Sequence, residues 1–174
     1  YNNNLTAYES VITDTVWCND KTNVTDTSYN PWSYGGNATG LGYGTNKTYY
    51  GATQRLVSAS NSAGGTGPSL KCNGELSKIN SKVGLITADE LAFAGYAFNI
   101  SNTTTYLQGN VTDTDWWSLS PFGFLGGRTY VWYVSGNYGG VGDSIVANPY
   151  GFRPSISLKS TTNVTGNGTS EKPY

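Results

Sequence analysis

The stretch "WWSLSPFGFLGGRTYVWYV", residues 116–134, places seven aromatic side chains in nineteen positions and decides the fold. Its second half, "TYVWYV", is rich in the β-branched and aromatic residues that favour strands. Successive side chains of a strand point to opposite faces, so Tyr130, Trp132 and Val134 are predicted to share one face. From residue 116 onward the sequence therefore predicts strands.

The aromatic residues of this stretch are predicted to lie mainly in the core. Trp is seldom left exposed, and adjacent Trp residues on a strand face opposite ways, so at most one of Trp116 and Trp117 is expected in the main core. Phe122, Phe124 and Trp132 are expected beside it. The stretch is thus interpreted as the platform of the domain rather than its binding site.

Two short helices are predicted before the strands. Leu5, Tyr8 and Ile12 recur at helical spacing behind a capping-box pattern, which predicts a helix over about residues 7–14. The segment "ATQRLVSAS" is expected to be ordered within an otherwise loop-rich region.

The second helix is predicted within "TADELAFAG". Thr87 and Glu90 have the spacing of a capping box, and Gly95 supplies the left-handed residue that ends a helix. Asp89 and Glu90 therefore have a structural explanation at the positive end of the helix dipole, which is favoured over a catalytic pair of carboxylates.

After residue 134 the sequence predicts a loop and then a strand. Residues 135–151, "SGNYGGVGDSIVANPYG", hold five glycines and are predicted to form a solvent-exposed loop. The segment "RPSISL", residues 153–158, alternates apolar and polar side chains and predicts a strand. The fold class is predicted to be α+β, with two short helices on a small, twisted antiparallel sheet with long loops.

Composition excludes several classes of function. The net charge is −1 with no basic stripe, so nucleic acid is excluded as a partner, and no apolar run is long enough to span a membrane. Without histidine there is no Ser-His-Asp triad, and the usual zinc ligand is missing. Asp113 and Asp115 are the close acidic pair that directly precedes the aromatic cluster, and glycoside hydrolysis or calcium binding there is judged the weaker hypothesis. We therefore expect no enzyme activity, metal or cofactor.

The cysteines and the glycosylation sequons indicate an extracellular protein. Cys18 and Cys72 are the only cysteines, and a disulfide between them would stabilise the fold by about 4 kcal/mol, with two buried free thiols as the alternative. The pattern Asn-X-Ser/Thr marks acceptors for glycans on exposed loops of secreted proteins. It occurs at Asn4, Asn23, Asn37, Asn46, Asn99, Asn102, Asn110, Asn163 and Asn167.

Eight segments resemble, in order, a family of bacterial surface proteins. They are "VWCND", "YGTNKTYYGATQRL", "PSLKC", "VGLITADELAFAG", "WWSLSPFGF", "YVWYV", "YGFRPSISLKS" and "GNGTSEKPY". In that pilin-like family an ectodomain related to C-type lectins and formylglycine-generating enzymes, the fold of the variable proteins of diversity-generating retroelements, often follows a prepilin-like helix. The resemblance implies a single lectin-like domain over residues 1–174 without that helix or another N-terminal anchor. The signature tripeptides of calcium-dependent lectins do not occur here.

Recognition is expected to use polar-tipped aromatics and a few charges next to glycines. Tyr offers a large contact area at low entropic cost, while Ser, Gly and Asn offer adaptable hydrogen bonds. The candidate ligand-binding residues are Arg128, Tyr133, Tyr138, Asp143, Asn148 and Tyr150. The predicted function is an extracellular, glycosylated ligand-binding or adhesion domain for a surface protein or a glycan. The alternative is a structural subunit that contacts other copies in a homo-oligomer, pilus, filament or surface layer.

Overall fold

The computed structural model describes residues 5–31, 47–72, 75–109, 113–167, 169 and 171–172. The described residues form an α+β domain with two short helices and mostly antiparallel sheets. The helices are α1 (Gly51–Leu56) and α2 (Ala88–Phe93). The strands are β1 (Ile12–Thr13), β2 (Thr15–Asn19), β3 (Thr48–Tyr49), β4 (Glu75–Ser81), β5 (Gly84–Leu85), β6 (Trp116–Leu125), β7 (Arg128–Val134), β8 (Val141–Ile145), β9 (Gly151–Phe152), β10 (Pro154–Ser155) and β11 (Ser157–Leu158).

The largest sheet has the strand order β3-β6-β7-β8, with β9 beside β6. Strands β6 and β7 form a hairpin whose two loop residues, Gly126 and Gly127, have φ angles of 57° and 79°. Glycine adopts such angles without steric cost, and a turn of this kind matches the twist of the flanking strands. The opening stretch of the sequence analysis is therefore the central hairpin of the fold.

Three two-stranded ribbons complete the sheet structure. They pair β1 with β11, β5 with β10, and β2 with β4, all antiparallel. The first two bring C-terminal strands against N-terminal and central ones. The "RPSISL" segment is thus strand-like as predicted, but it is divided between β10 and β11 rather than forming one strand.

The main core lies between the inner face of the large sheet and the two helices. Trp116, Phe122 and Trp132 come from the sheet, and Leu56 and Leu91 come from α1 and α2. Phe122 and Trp132 have ring centroids 5.3 Å apart, within the range of favourable aromatic pairs. The core roles predicted for these aromatics are confirmed, except that Phe124 is only half-buried.

The helix predicted over α2 is confirmed. The Thr87 side chain accepts from the Glu90 backbone N–H, and the Glu90 side chain accepts from the Thr87 N–H. Gly95 follows the helix with a φ of 97°. Thr87, Glu90 and Gly95 lie within nine residues of one another, so the helix could be predicted from the sequence alone.

The helix predicted over residues 7–14 is wrong. A single 3-10 turn spans Thr6–Tyr8, and Ile12 instead lies in β1 opposite Leu158. The β-branched run at residues 11–13 favours a strand, and the C-terminal segment supplies the partner. The other helix of the fold is α1, which begins at Gly51 and otherwise lies within the segment "ATQRLVSAS" that was expected only to be ordered.

The predicted disulfide is confirmed between Cys18 and Cys72, whose Cα atoms are 5.5 Å apart. It joins β2 to the segment that precedes β4. Among the described residues, no helix combines the length and the apolar character that crossing a bilayer requires.

Candidate functional site

The outer face of the large sheet carries the candidate site. Trp132 and Val134 are fully buried on the inner face, so the residue between them, Tyr133, lies on the outer face. The strand register places Trp117 of β6 and Gly142 of β8 directly opposite Tyr133. The prediction that only one of the adjacent tryptophans enters the main core is confirmed, because Trp117 packs on this other face.

Four predicted binding residues meet on the outer face, and we call them the tyrosine surface: Tyr133, Tyr138, Asn148 and Tyr150. Trp117 lies beneath them and is almost completely buried. The ring centroid of Tyr150 is 5.0 Å from that of Tyr133 and 4.6 Å from that of Trp117. Tyr133 and Tyr150 are half-buried, while Tyr138 keeps 39% of its surface exposed. The tyrosine surface is therefore a group of partly exposed aromatic rings packed on the buried indole of Trp117.

A short hydrogen-bond network holds the polar groups at the edge of the tyrosine surface. Asn148 donates through Nδ2 to Ser144 Oγ at 2.7 Å, and Ser144 Oγ donates to Tyr150 Oη at 3.2 Å. Ser144 is buried in β8, so the network is attached to the sheet. The amide and the phenol are held in place before any ligand arrives, which reduces the entropic cost of binding.

Tyr133, at the centre of the tyrosine surface, is uncharged. Burial raises the pKa of Tyr133 well above its usual value, and the hydrogen bond with Tyr138 acts in the same direction. The Tyr133 phenol therefore remains protonated at physiological pH. The surface offers uncharged hydroxyl and amide groups beside aromatic rings.

The turn that carries Tyr138 is anchored on both sides. The Gly136 N–H donates to Asp115 Oδ1 at 3.0 Å, and the Gly136 carbonyl accepts from Gln108 Nε2 at 2.6 Å. Gln108 is buried, so this bond ties the turn to the interior. The glycine-rich segment predicted as a solvent loop is instead an ordered turn followed by β8, which is a correction to the sequence analysis.

The two remaining predicted binding residues lie elsewhere. Arg128 is exposed at the start of β7, opposite Leu125 at the hairpin end. Asp143 is opposite Trp132 in β8, on the row of side chains that faces the core. Burial raises the Asp143 pKa to about 6. The predicted set of six thus divides into four residues that meet and two that do not.

A groove of about 360 Å³ continues along the outer face from the tyrosine surface. Val131 stands two residues before Tyr133 on the same face of β7, opposite Pro121 of β6. The groove is lined by Lys21, Asn23, Tyr50, Leu119, Pro121, Thr129 and Val131. The outer face therefore has an aromatic end and a groove of mixed apolar and polar lining.

A cluster of three charged side chains lies away from this face, in a cleft of about 590 Å³ beside the disulfide. Arg55 donates to both carboxylate oxygens of Asp89 at 2.7 Å and lies 2.9 Å from Asp20 Oδ2. Asp89 Oδ1 also accepts from the Ser69 N–H at 2.9 Å. Because these charges are bonded to one another, the cluster is a structural connection between both helices and β2. This agrees with the structural interpretation of Asp89.

The two acids considered for chemistry, Asp113 and Asp115, have different surroundings. Asp115 supports the Gly136 turn, while Asp113 is exposed with a φ of 47°. Within the described residues, no group of three or more His, Cys, Asp or Glu side chains is placed to hold a metal ion.

Five of the nine predicted glycosylation acceptors fall in the described part of the chain. Asn99, Asn163 and Asn167 are exposed, whereas Asn23 and Asn102 are half-buried. The other four acceptors, Asn4, Asn37, Asn46 and Asn110, lie outside the described residues.

Three residues that shape the site were not among the predicted binding residues. Trp117 forms its floor, Ser144 connects its polar groups, and Gly142 leaves room for the Tyr133 ring. A Cβ at Gly142 would lie 3.1 Å from Tyr133 Cε1. The alternation of side chains along β7 and β8 would have indicated Gly142 and Ser144, had residues 141–145 been recognised as a strand.

Comparison of the chain with protein-family models, with curated proteins and with solved structures finds no match.

Proposed function

We propose that this chain is an extracellular ligand-binding or adhesion domain of C-type-lectin-like fold, displayed at a cell or virion surface. Its recognition site is the tyrosine surface, and its ligand is a surface protein or a glycan. The supporting observation is the assembly of Tyr133, Tyr138, Asn148 and Tyr150 above Trp117. These residues come from a strand, a turn and a later segment, and they converge on one face.

The chemistry of this surface suits recognition. Tyrosine combines a large apolar ring with a hydroxyl that donates and accepts hydrogen bonds, and two side-chain torsions limit the entropy lost on binding. Asn148 and Ser144 add an ordered amide and hydroxyl at its edge. With neutral phenols, the surface favours uncharged ligand groups over strongly anionic or cationic ones.

The extracellular assignment is supported by the disulfide, which persists in oxidising compartments, and by the many sequons. The α+β architecture with a central antiparallel sheet and two short helices is compatible with the lectin-like fold that the sequence resemblance implies.

Binding experiments on variants of the surface test this proposal. The fluorescently labelled domain is titrated onto an array of immobilised neutral oligosaccharides and onto intact epithelial cells. Tyr133→Ala and Tyr150→Ala are each expected to weaken binding at least tenfold, since each removes a ring from the centre of the contact. Arg128→Ala is the matched control, because Arg128 is exposed on the same strand but distant from the surface.

The outcomes are distinct. Binding that withstands both tyrosine substitutions, or that falls equally with Arg128→Ala, contradicts the assignment. Prior treatment of the cells with protease or with periodate then shows whether the ligand is a protein or a glycan.

The second candidate function is a structural subunit of a pilus, filament or surface layer. It is favoured by apolar side chains exposed along the C-terminal strands: Phe152 is 67% exposed, with Ile156 and Leu158 also exposed. A contact with a second copy would bury them. Sedimentation of the wild-type domain and of Phe152→Ser tests this: concentration-dependent assembly that the substitution abolishes, with ligand binding unaffected, would favour the structural role.

A further inference from the structure

Two adjacent glycosylation sequons follow α2, and their asparagines differ in what their side chains do. Asn102 donates through Nδ2 to the Gly95 carbonyl at 2.8 Å and accepts from Thr104 Oγ1 at 2.8 Å. Asn99 is exposed, with a φ of 54°, and its amide makes no hydrogen bond to another described residue. Asn99 is therefore the accessible acceptor of the two.

Asn99 borders the tyrosine surface. Its backbone N–H donates to the Val141 carbonyl at 2.9 Å, which fixes it at the start of β8. A Cβ at Gly142 would lie 3.1 Å from Tyr133 Cε1 and 3.7 Å from Asn99 Oδ1. The Asn99 amide and the Tyr133 ring thus both lie within contact distance of the point that a side chain at position 142 would occupy.

The remainder of this sequon contacts a second tyrosine of the surface. Ser101, the hydroxyl residue of the sequon, donates through Oγ to the Tyr138 carbonyl at 2.7 Å. The Asn102 N–H donates to the same carbonyl at 3.2 Å. A sugar attached to Asn99 would therefore begin next to Tyr133 and Tyr138, both of which line the recognition site.

We propose that Asn99 is an N-glycosylation site whose glycan covers the tyrosine surface, so that the modified domain is masked and the unmodified domain binds. This regulation rests on the proposed function of the surface. The apolar faces of sugar rings pack against aromatic rings, and their hydroxyls find partners in the neutral phenols. The masking ligand is thus the chain's own oligosaccharide.

The modification is a glycosyl transfer from a lipid-linked oligosaccharide pyrophosphate. Asn99 Nδ2 attacks C1 of the first sugar, the C1–N bond forms, and the C1–O bond to the pyrophosphate breaks. Nδ2 loses one proton and the lipid pyrophosphate leaves. The Asn99 side chain keeps its carbonyl oxygen and one N–H.

Glycopeptide mass spectrometry and tyrosine nitration test the proposal on the full chain secreted from eukaryotic cells. We expect Asn99 to carry a glycan, and Tyr138 to react with tetranitromethane at least fivefold more slowly than in Asn99→Gln. Asn163→Gln is the matched control, since Asn163 is an exposed acceptor in the C-terminal segment. Its loss should leave Tyr138 nitration unchanged. Enzymatic deglycosylation of the folded wild-type protein by an amidase, which converts Asn99 to Asp, gives the same comparison on a protein that folded with its glycan.

An unmodified Asn99 in the secreted protein overturns the proposal. Equal nitration of Tyr138 in the glycosylated, deglycosylated and Asn99→Gln forms overturns it as well. Nitration reports access to the tyrosines without any ligand, so it is independent of the binding experiment. If the glycan shields Tyr138 but Tyr133→Ala binds cells normally, the recognition role fails while the masking stands.

Discussion

Two ion pairs of nearly equal length illustrate how burial decides the value of a charge at the residue scale. Arg55 and Asp89 are 2.7 Å apart with 13% and 7% of their side chains exposed. Lys82 and Glu9 are 2.9 Å apart with 30% and 50% exposed. Removing Asp89 leaves the buried Arg55 with Asp20 as its remaining counter-ion in the cluster and unpairs its bidentate bond, whereas water solvates the survivor of a surface pair.

Asp89→Ala is therefore expected to lower the free energy of unfolding by about 3–5 kcal/mol, and Lys82→Ala by less than about 1 kcal/mol. Asp89 also accepts a hydrogen bond from the Ser69 N–H, and its loss adds to the destabilisation expected for Asp89→Ala. Urea denaturation of the three proteins measures both effects. Similar losses for the two variants would show that the cluster around Arg55 contributes no more than a surface pair.

Asp143 makes the stability of the domain depend on pH. Burial raises its pKa from 3.8 to about 6, so the folded state binds a proton more tightly than the unfolded state does. The protonated Asp143 therefore contributes its full stabilisation, relative to the charged form, below about pH 4. This stabilisation, about 2–3 kcal/mol, is lost as the pH rises from 4 through 6. Relative to Asp143→Asn, the wild-type protein should lose stability between pH 4 and 7.5 in urea titrations. Parallel pH profiles would contradict this.

At the scale of elements, the success of sequence prediction followed the range of the interactions. The α2 helix and its capping box are local, and β7 has a strong strand composition, so both were predictable. The helix expected over residues 7–14 was wrong because the pairing of Ile12 with Leu158 joins distant segments. Strand β8 was hidden by Gly142 and by the glycines that precede the strand, and its pairing with β7 makes it a strand.

The candidate site was predictable in its residue types but not in its grouping. Tyr, Asn and Gly near residues 133–150 indicated a recognition surface, and four of the six predicted residues meet. Asp143 points to the other face of the sheet because side chains alternate along β8. This could not be predicted from the sequence, because residues 141–145 were not recognised as a strand. The sequence had no means of showing that Trp117 would form the floor beneath Tyr150.

The turn between β7 and β8 requires glycine at position 136, because there is no space for a side chain there. A Cβ there would lie 2.5 Å from the Thr114 carbonyl oxygen, which is backbone and has little freedom to move. Gly136→Ala should destabilise the domain by more than about 2 kcal/mol and displace Tyr138. Gly126→Ala is the control, since its surroundings are open and only its φ of 57° is strained, at roughly 1–2 kcal/mol. Equal melting temperatures for the two variants would contradict this assignment.

At the scale of the whole molecule, the disulfide and the Arg55 cluster enclose one cleft. The Cys18–Cys72 bond spans 54 residues of sequence, a separation that includes the whole of α1. Asp20 and Ser69 continue the connection to Arg55 and Asp89 on the two helices.

Loss of the disulfide should cost about 4 kcal/mol, because a loop of this length regains much conformational entropy when the unfolded chain is released. The measurement is urea unfolding of the wild-type protein and of Cys18→Ser with Cys72→Ser, with and without a reductant. The reductant should affect only the wild-type protein. An unchanged midpoint after reduction would show that the noncovalent contacts alone hold this region.

Photo-crosslinking tests the recognition role of the tyrosine surface most directly. The photoreactive residue p-benzoylphenylalanine replaces Tyr138 in one protein and Tyr8, an exposed tyrosine of the 3-10 turn, in another. Each protein is irradiated on intact epithelial cells. We predict covalent adducts of defined mass from position 138 and none from position 8. Adducts from position 8 alone, or equal adducts from both, would contradict a recognition site at the tyrosine surface.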